Sequence, residues 1–153
     1  MSDDIERGDN ADRTALLAIW EASVRASHDF LEESDIDSLR PVVRDVALAK
    51  LELWVAKAER DAIAGFMGLD GAHVEALFID PPFQGRGFGR RLLDHARALK
   101  GPLLVDVNEQ NALALSFYLK YGFEIVARSS TDSDGRPFPL LHLAMPGALP
   151  TEE

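Results

Sequence analysis

Three glycines at alternate positions, in the stretch Phe83-Gln84-Gly85-Arg86-Gly87-Phe88-Gly89-Arg90, constrain this chain more than any other feature. Before them, His73 to Asp80 reads as a strand, with Val74, Leu77 and Ile79 apolar and a stop at Pro81-Pro82. After them, Leu92, Leu93, Ala96 and Leu99 recur at helical spacing as far as a Gly101-Pro102 terminator. The order is strand, glycine-rich turn, helix. Such a turn offers unblocked backbone N–H groups, close approach without side chains, and the positive end of a helix dipole. It is a pocket for a phosphate, and Arg86, Arg90 and Arg91 add positive charge beside it.

The rest of the 153 residues reads as one domain built around that turn. Ile5 to Arg7 is a very short strand, and Asn10 is placed to cap a helix carrying Leu16, Ile19, Trp20 and Val24. Ser34 and Asp37 resemble a capping pair for a second helix with Leu39, Val43 and Val46 inward, which Pro41 either kinks or restarts. Leu51 to Lys57 and Ala62 to Leu69 alternate as strands around Glu59-Arg60-Asp61, and Asp70-Gly71 turns the chain into the strand at 73–80. Three antiparallel strands thus precede the glycine turn. Beyond the helix at 88–100, a strand over 103–107 leads to a helix over 111–121, with Gly122 as its stop. Strands over 123–130 and 140–145 close the sheet, and residues 148–153 are expected to form a flexible tail.

Charge and composition narrow the function. A net charge of −10 repels a phosphate backbone, which disfavours nucleic-acid binding, and it suits a cationic partner such as an amine. There are no cysteines, so thiolate metal sites, disulfides and cysteine nucleophiles are excluded. The four histidines lack ligand spacing, and no metal is expected. The polar, acidic start does not read as a signal peptide, and no apolar run approaches the ~20 residues that span a bilayer. The expectation is a soluble cytoplasmic protein with no membrane partner. A dinucleotide fingerprint is one rival reading of the turn, with Asp106 at about the right distance for a ribose. The spacing is GxGxG rather than GxGxxG, however, and antiparallel strands precede it. A tight turn without any ligand is the other rival.

Further residues bear on that choice. Gln84-x-x-Gly87-x-Gly89 after a strand, then Asn111 with Tyr118 seven residues on, then Tyr121-Gly122-Phe123, resembles the GNAT superfamily of acyl-CoA-dependent N-acetyltransferases. Ser23-Val24-x-Ala26-x-His28-Asp29-Phe30-Leu31, Leu53-Trp54-Val55-Ala56, Ala76-Leu77-Phe78-Ile79-Asp80-Pro81, Val107-Asn108-Glu109-Gln110-Asn111 and Pro139-Leu140-Leu141 extend it toward the bacterial YjaB-like group. The resemblance implies an α/β (α+β) fold: a single GNAT-type domain over residues 1–147, with a mixed, mostly antiparallel sheet and helices on both faces. The sheet is expected to splay between the strands at 73–80 and 103–107, with acetyl-CoA entering the V and no metal required. The reaction implied is direct acetyl transfer to a primary amine in a ternary complex, by a monomer or homodimer. A noncatalytic acyl-CoA-binding module is the alternative.

Residue by residue, the resemblance implies that Gln84, Gly85, Arg86, Gly87, Phe88, Gly89 and Arg90 hold the pyrophosphate, while the backbone of Leu77, Phe78 and Ile79 pairs with the pantetheine arm. Asn111 matches a cofactor contact, and its place before Ala112 also suits a helix N-cap. Tyr118 matches the general acid; a phenol of pKa near ~10 is protonated at neutral pH and can reprotonate a thiolate of pKa near ~8.5. On helical spacing alone it packs in a stripe with Phe117 and Tyr121. Glu75 is the candidate base, with a solvent-facing strand residue as its plain reading, and Asp106 is the rival base on the next strand. His28, Trp20, Asn108 and Asp106 are placed on the acceptor side. His73 reads as an ordinary strand-start residue and His142 as structural.

Overall fold

The computed structural model describes residues 5–9, 12–27, 31–132 and 135–148. Seven strands form a single sheet in the order β1-β2-β3-β4-β5-β7-β6. In chain order these are β1 Ile5–Arg7, β2 Glu52–Lys57, β3 Ile63–Asp70, β4 His73–Ile79, β5 Leu104–Asn108, β6 Glu124–Ser129 and β7 Leu140–Ala144. Every neighbouring pair is antiparallel except β4 and β5. The helices are α1 Arg13–Ser27, α2 Glu33–Val42, a single turn α3 Leu48–Lys50, α4 Phe88–Lys100 and α5 Ala112–Tyr121. The mixed, mostly antiparallel sheet with helices on both faces is therefore present.

Two apolar cores flank the sheet. On one face, Leu16, Ile19, Trp20 and Val24 of α1 and Ile36 of α2 pack onto Leu53, Val55 and Phe66. On the other, Phe88, Leu92, Leu93 and Ala96 of α4 and Tyr118 of α5 cover Met67, Val74, Val105, Val107 and Leu143. Helix α4 runs over the span its sequence dictates, because a glycine with positive φ stands at each end (Gly87 at 88°, Gly101 at 81°). Its last expected core residue, Leu99, is instead 49 % exposed.

The segment after α1 departs further from expectation. The N-cap of α2 is Glu32, whose N–H donates to Asp35 Oδ2 at 2.8 Å, rather than a pair made by Ser34 and Asp37. Pro41 lies inside α2 and neither restarts nor terminates it at that point. Just beyond, the backbone widens into a π-helical turn over Val43–Ala47, consistent with the N–H that proline cannot supply. That turn rotates Val46 outward, to 45 % exposure, whereas Leu39 and Val43 face the core as expected. The expected cap Asn10 lies outside the described residues.

The feature that makes a site is the parting of β4 from β5. They pair only at His73 with Leu104 and Val74 with Val105. At that point β4 carries a bulge: Leu69 of β3 faces Val74 while Gly68 faces Ala76, so Glu75 is an extra residue. The bulge bends β4 away, and from Glu75 onward the edge that faces β5 has no strand partner among the described residues. β4 is pressed against β3 instead. A Cβ at Gly65 would stand 2.7 Å from the Phe78 carbonyl oxygen, so only glycine permits the approach.

Candidate active site

The parted strands open a cleft of about 610 Å³. One wall is β4 from Val74 to Ile79, the other is β5 from Val105 to Asn108, and the far end is closed by α5 and the glycine turn. Much of the lining is apolar, and polar groups enter from the strands (Glu75, Asp106, Asn108), from α5 and its cap (Asn111, Tyr118, Lys120), from the glycine turn (Gln84, Arg90) and from α1 (Ser23). A concave apolar site with a few convergent polar groups is the form that small-molecule sites take.

The glycine turn is shaped as the sequence requires. Gly85 and Gly87 both hold positive φ, at 78° and 88°, where a side chain would be strained. The first intrahelical bond of α4 runs from Arg91 N–H to the Gly87 carbonyl at 3.0 Å. Among the described residues, the N–H groups of 85–90 therefore have no backbone acceptor, and they converge at the positive end of a 13-residue helix. Gln84 pins the loop, its Nε2 donating to the Ile79 carbonyl at 3.2 Å. Arg86 lies over the Phe83 ring and Arg91 over the Phe88 ring, at 5.3 and 4.3 Å from the ring centres. This donor set fits a pyrophosphate group. The bare edge of β4 from Glu75 to Ile79 fits an extended amide-bearing chain laid alongside it.

Tyr118 projects from α5 into the wall of the cleft and is buried, edge-on to Phe117 and Phe123. Burial pushes its phenol well above the ordinary tyrosine range, so it holds its proton at every working pH. Asn111 caps α5, its Oδ1 accepting from Ala114 N–H at 3.1 Å. Asn108 Oδ1 accepts from Gln110 N–H at 2.9 Å and shapes the turn between β5 and α5.

Glu75 and Asp106 face one another across the mouth of the parted strands, with His73 between them. Its Nδ1 is 2.6 Å from Glu75 Oε2 and its Nε2 is 3.3 Å from Asp106 Oδ2. The nearer contact lacks the alignment of a hydrogen bond, so it is electrostatic. Asp106 Oδ1 also accepts from His142 Nδ1 at 2.6 Å, and His142 Nε2 is 2.7 Å from Ser129 Oγ. The Asp106 carboxylate raises the His73 pKa against the opposing effect of burial, with Glu75 adding to the rise. His73 in turn holds Asp106 below the ordinary carboxylate range, with help from His142.

The cleft gathers Glu75, Leu77, Phe78, Ile79, Gln84, Gly85, Gly87, Phe88, Gly89, Arg90, Asp106, Asn108, Asn111 and Tyr118. Arg86 sits on the turn outside the lining, and Trp20 is a buried member of the α1 core rather than a cleft residue. An aromatic on the apolar stripe of a core-facing helix is drawn inward, as Trp20 is. His28 lies outside the described residues. Ser23, a buried polar residue in the apolar stripe of α1, also lines the cleft. Its polarity among Ile19, Trp20 and Val24 was the available signal. His73, His142 and Ser129 were not legible as a group, since cross-strand register brings them together.

Residues 49–125 match the family described as the acetyltransferase (GNAT) domain. The peptidyl-lysine N-acetyltransferase YjaB of Escherichia coli K12 is 46 % identical over 94 % of this chain and 97 % of its own. Its Salmonella typhimurium counterpart is 44 % identical over 95 % of this chain and 100 % of its own. The solution structure of apo-form YjaB from Escherichia coli superimposes with a TM-score of 0.87, covering 97 % of this chain and 100 % of that one at 46 % identity. The PaiA N-acetyltransferase of Thermoplasma acidophilum, solved in complex with coenzyme A, shares the fold: TM-score 0.75 at 19 % identity, over 95 % of this chain and 99 % of that one.

Proposed function

The chain belongs to the GNAT acetyltransferase family and is an N-acetyltransferase, and we propose that it moves an acetyl group from acetyl-CoA to the lysine side chain of a peptide or protein. The observation that carries this reading is the cleft itself. Turn N–H groups that suit a pyrophosphate stand at one end, a bare strand edge runs along one wall, and a buried phenol and two carboxylates line the same cleft. The name carried by the YjaB relatives supports peptidyl-lysine as the acceptor, and a net charge of −10 suits a cationic one.

Acetyl-CoA supplies an activated thioester and a thiolate leaving group. The N–H groups of 85–90 hold its pyrophosphate, with Arg90 beside them, and the β4 edge at Leu77–Ile79 aligns the arm. A lysine amine of pKa near ~10.4 arrives protonated and must lose a proton before it can attack. Glu75 or Asp106, on opposite walls of the cleft mouth, takes that proton directly or through water. Tyr118 gives its proton to the departing sulfur. Burial keeps the phenol protonated and so available for that transfer. Direct transfer requires no acyl-enzyme, in keeping with a chain that has no cysteine.

Parallel calorimetric titrations with acetyl-CoA, CoA and NAD test the cradle. Micromolar binding of both CoA species with none of NAD is expected. Silence toward CoA, or preference for NAD, contradicts the reading.

A further inference from the structure

We propose that His73 is a positioning residue of this site, joining Glu75 and Asp106 into one proton-holding unit through which the acceptor's proton leaves. This rests on the acetyl-transfer reading above and goes beyond it, since that reading treats the two carboxylates as rival bases.

Glu75 and Asp106 line the cleft; His73 does not. His73 stands behind them at the first residue of β4, opposite Leu104, with one ring nitrogen turned to each carboxylate. Glu75, two residues on along β4, shares the face of His73, and its carboxylate reaches the ring. Across the sheet the row continues through His142 to Ser129, which fixes the second oxygen of Asp106 and leaves the first turned to His73. Asp70 of β3, directly opposite His73 in register, is a further charged neighbour. Both carboxylates touch the same imidazole, so its charge is felt by each of them.

The arrangement supplies what each carboxylate lacks alone. An ordinary carboxyl, with a pKa near ~4, is a poor match for a proton that must be taken up near neutral pH, whereas an imidazole is a close one. With His73 neutral, the unit carries the charge of two carboxylates and attracts an ammonium. With His73 protonated, it carries one negative charge less, and the acceptor's proton has been stored. Per turnover, R–NH3⁺ and the thioester become an amide, a thiol and one free proton. The C–S bond breaks as the N–C bond forms. Tyr118's proton goes to sulfur, and the second proton of the attacking nitrogen restores it. His73 takes the first proton by way of a cleft carboxylate and passes it to solvent.

Two measurements decide this. Proton NMR of the histidine C2–H signals, without acetyl-CoA, follows His73 in the wild type, Glu75→Gln and Asp106→Asn. The expected midpoint lies above the ordinary histidine value near ~6.5 and falls by about one unit in each variant. A midpoint that moves in only one variant, or in neither, overturns the coupling. The pH profile of kcat/KM with a lysine peptide then follows the proton. Its acid limb is expected to track the His73 midpoint in the wild type. In His73→Gln that limb should vanish, kcat should fall about ten-fold, and the KM for acetyl-CoA should hold. An unchanged profile in His73→Gln overturns the proton role. A wild type that acetylates no amine overturns both that role and the acetyl-transfer reading, while the NMR titration still decides the coupling on its own.

Discussion

The two halves of the sheet are built to different rules. From β2 to β4 the strands pair along nearly their whole length and both faces are covered, by α1 and α2 on one side and α4 on the other. From β5 through β7 to β6 only one face contributes to an apolar core, through Val105, Val107, Leu141 and Leu143. No residue of those three strands joins the core beneath α1, among the described residues. Their open face carries Asp106, His142 and Ser129, and β6 at the edge leaves Ile125 and Val126 about half exposed. The first half resembles a closed interior; the second is a wall with one wet side. Polar groups that would be costly in the first half can be held in a row on the second, because water and strand neighbours satisfy them. The cleft opens along the seam between the two.

If that division holds, substitutions in the first half should cost stability and those along the seam should cost chemistry. The largest effect is expected at Phe66, fully buried between α1 and the sheet. Phe66→Ala should destabilise by about 3–5 kcal/mol in denaturant unfolding. Retained stability would mean that the α1 core is not the anchor. Tyr118→Phe should then lower kcat about 100-fold with acetyl-CoA affinity unchanged, read by initial rates and calorimetry. Full turnover would remove the acid assignment.

Asn111 sharpens the boundary because it belongs to both sides, capping α5 while lining the cleft. Asn111→Ala should cost about 1 kcal/mol, and any loss of acetyl-CoA affinity beyond that of a merely loosened helix would show direct contact. The Asp106–His73 pair gives stability a pH signature. Asp106, held low, contributes above the unfolded carboxylate pKa near ~3.9 and loses that contribution as pH falls through its folded value. His73, held high, contributes fully below the unfolded imidazole value near ~6.5 and loses it as pH rises through its folded value. His73→Gln should flatten the decline in unfolding free energy just above pH ~6.5. A slope identical to wild type would mean that other groups set it. The smallest effect is expected at Arg25, exposed despite its contacts with Glu21 and Glu33. Arg25→Ala should leave Tm unchanged within error, since exposed ion pairs are screened.

How much of this was readable from the chain follows the same division. Helix α4 and the turn before it were legible nearly to the residue, because Pro81-Pro82, Gly85, Gly87 and Gly101 are local signals with local causes. The cap of α2 was misplaced because Glu32, Ser34, Asp35 and Asp37 offer competing acceptors within six residues, and the backbone selects among them. The glycine-turn end of the cleft comes from one continuous segment, and its backbone shape was likewise legible. The other end is not local. Asp106 and His142 lie 36 residues apart and meet only because β7 inserts between β5 and β6. His73 reaches Asp106 only across the short parallel pairing that precedes the splay. Spacing along the chain carries no trace of that register.

The central claim, that acetyl-CoA lies in the seam between β4 and β5, is tested most directly by backbone amide NMR during titration with acetyl-CoA. Shifts are expected to concentrate at Leu77–Ile79 and at residues 85–90, with the amides of β2 and of α1 little changed. Shifts centred elsewhere, for instance on Asp94, Arg97 and Gly101 at the far end of α4, or no shifts at all, would contradict it.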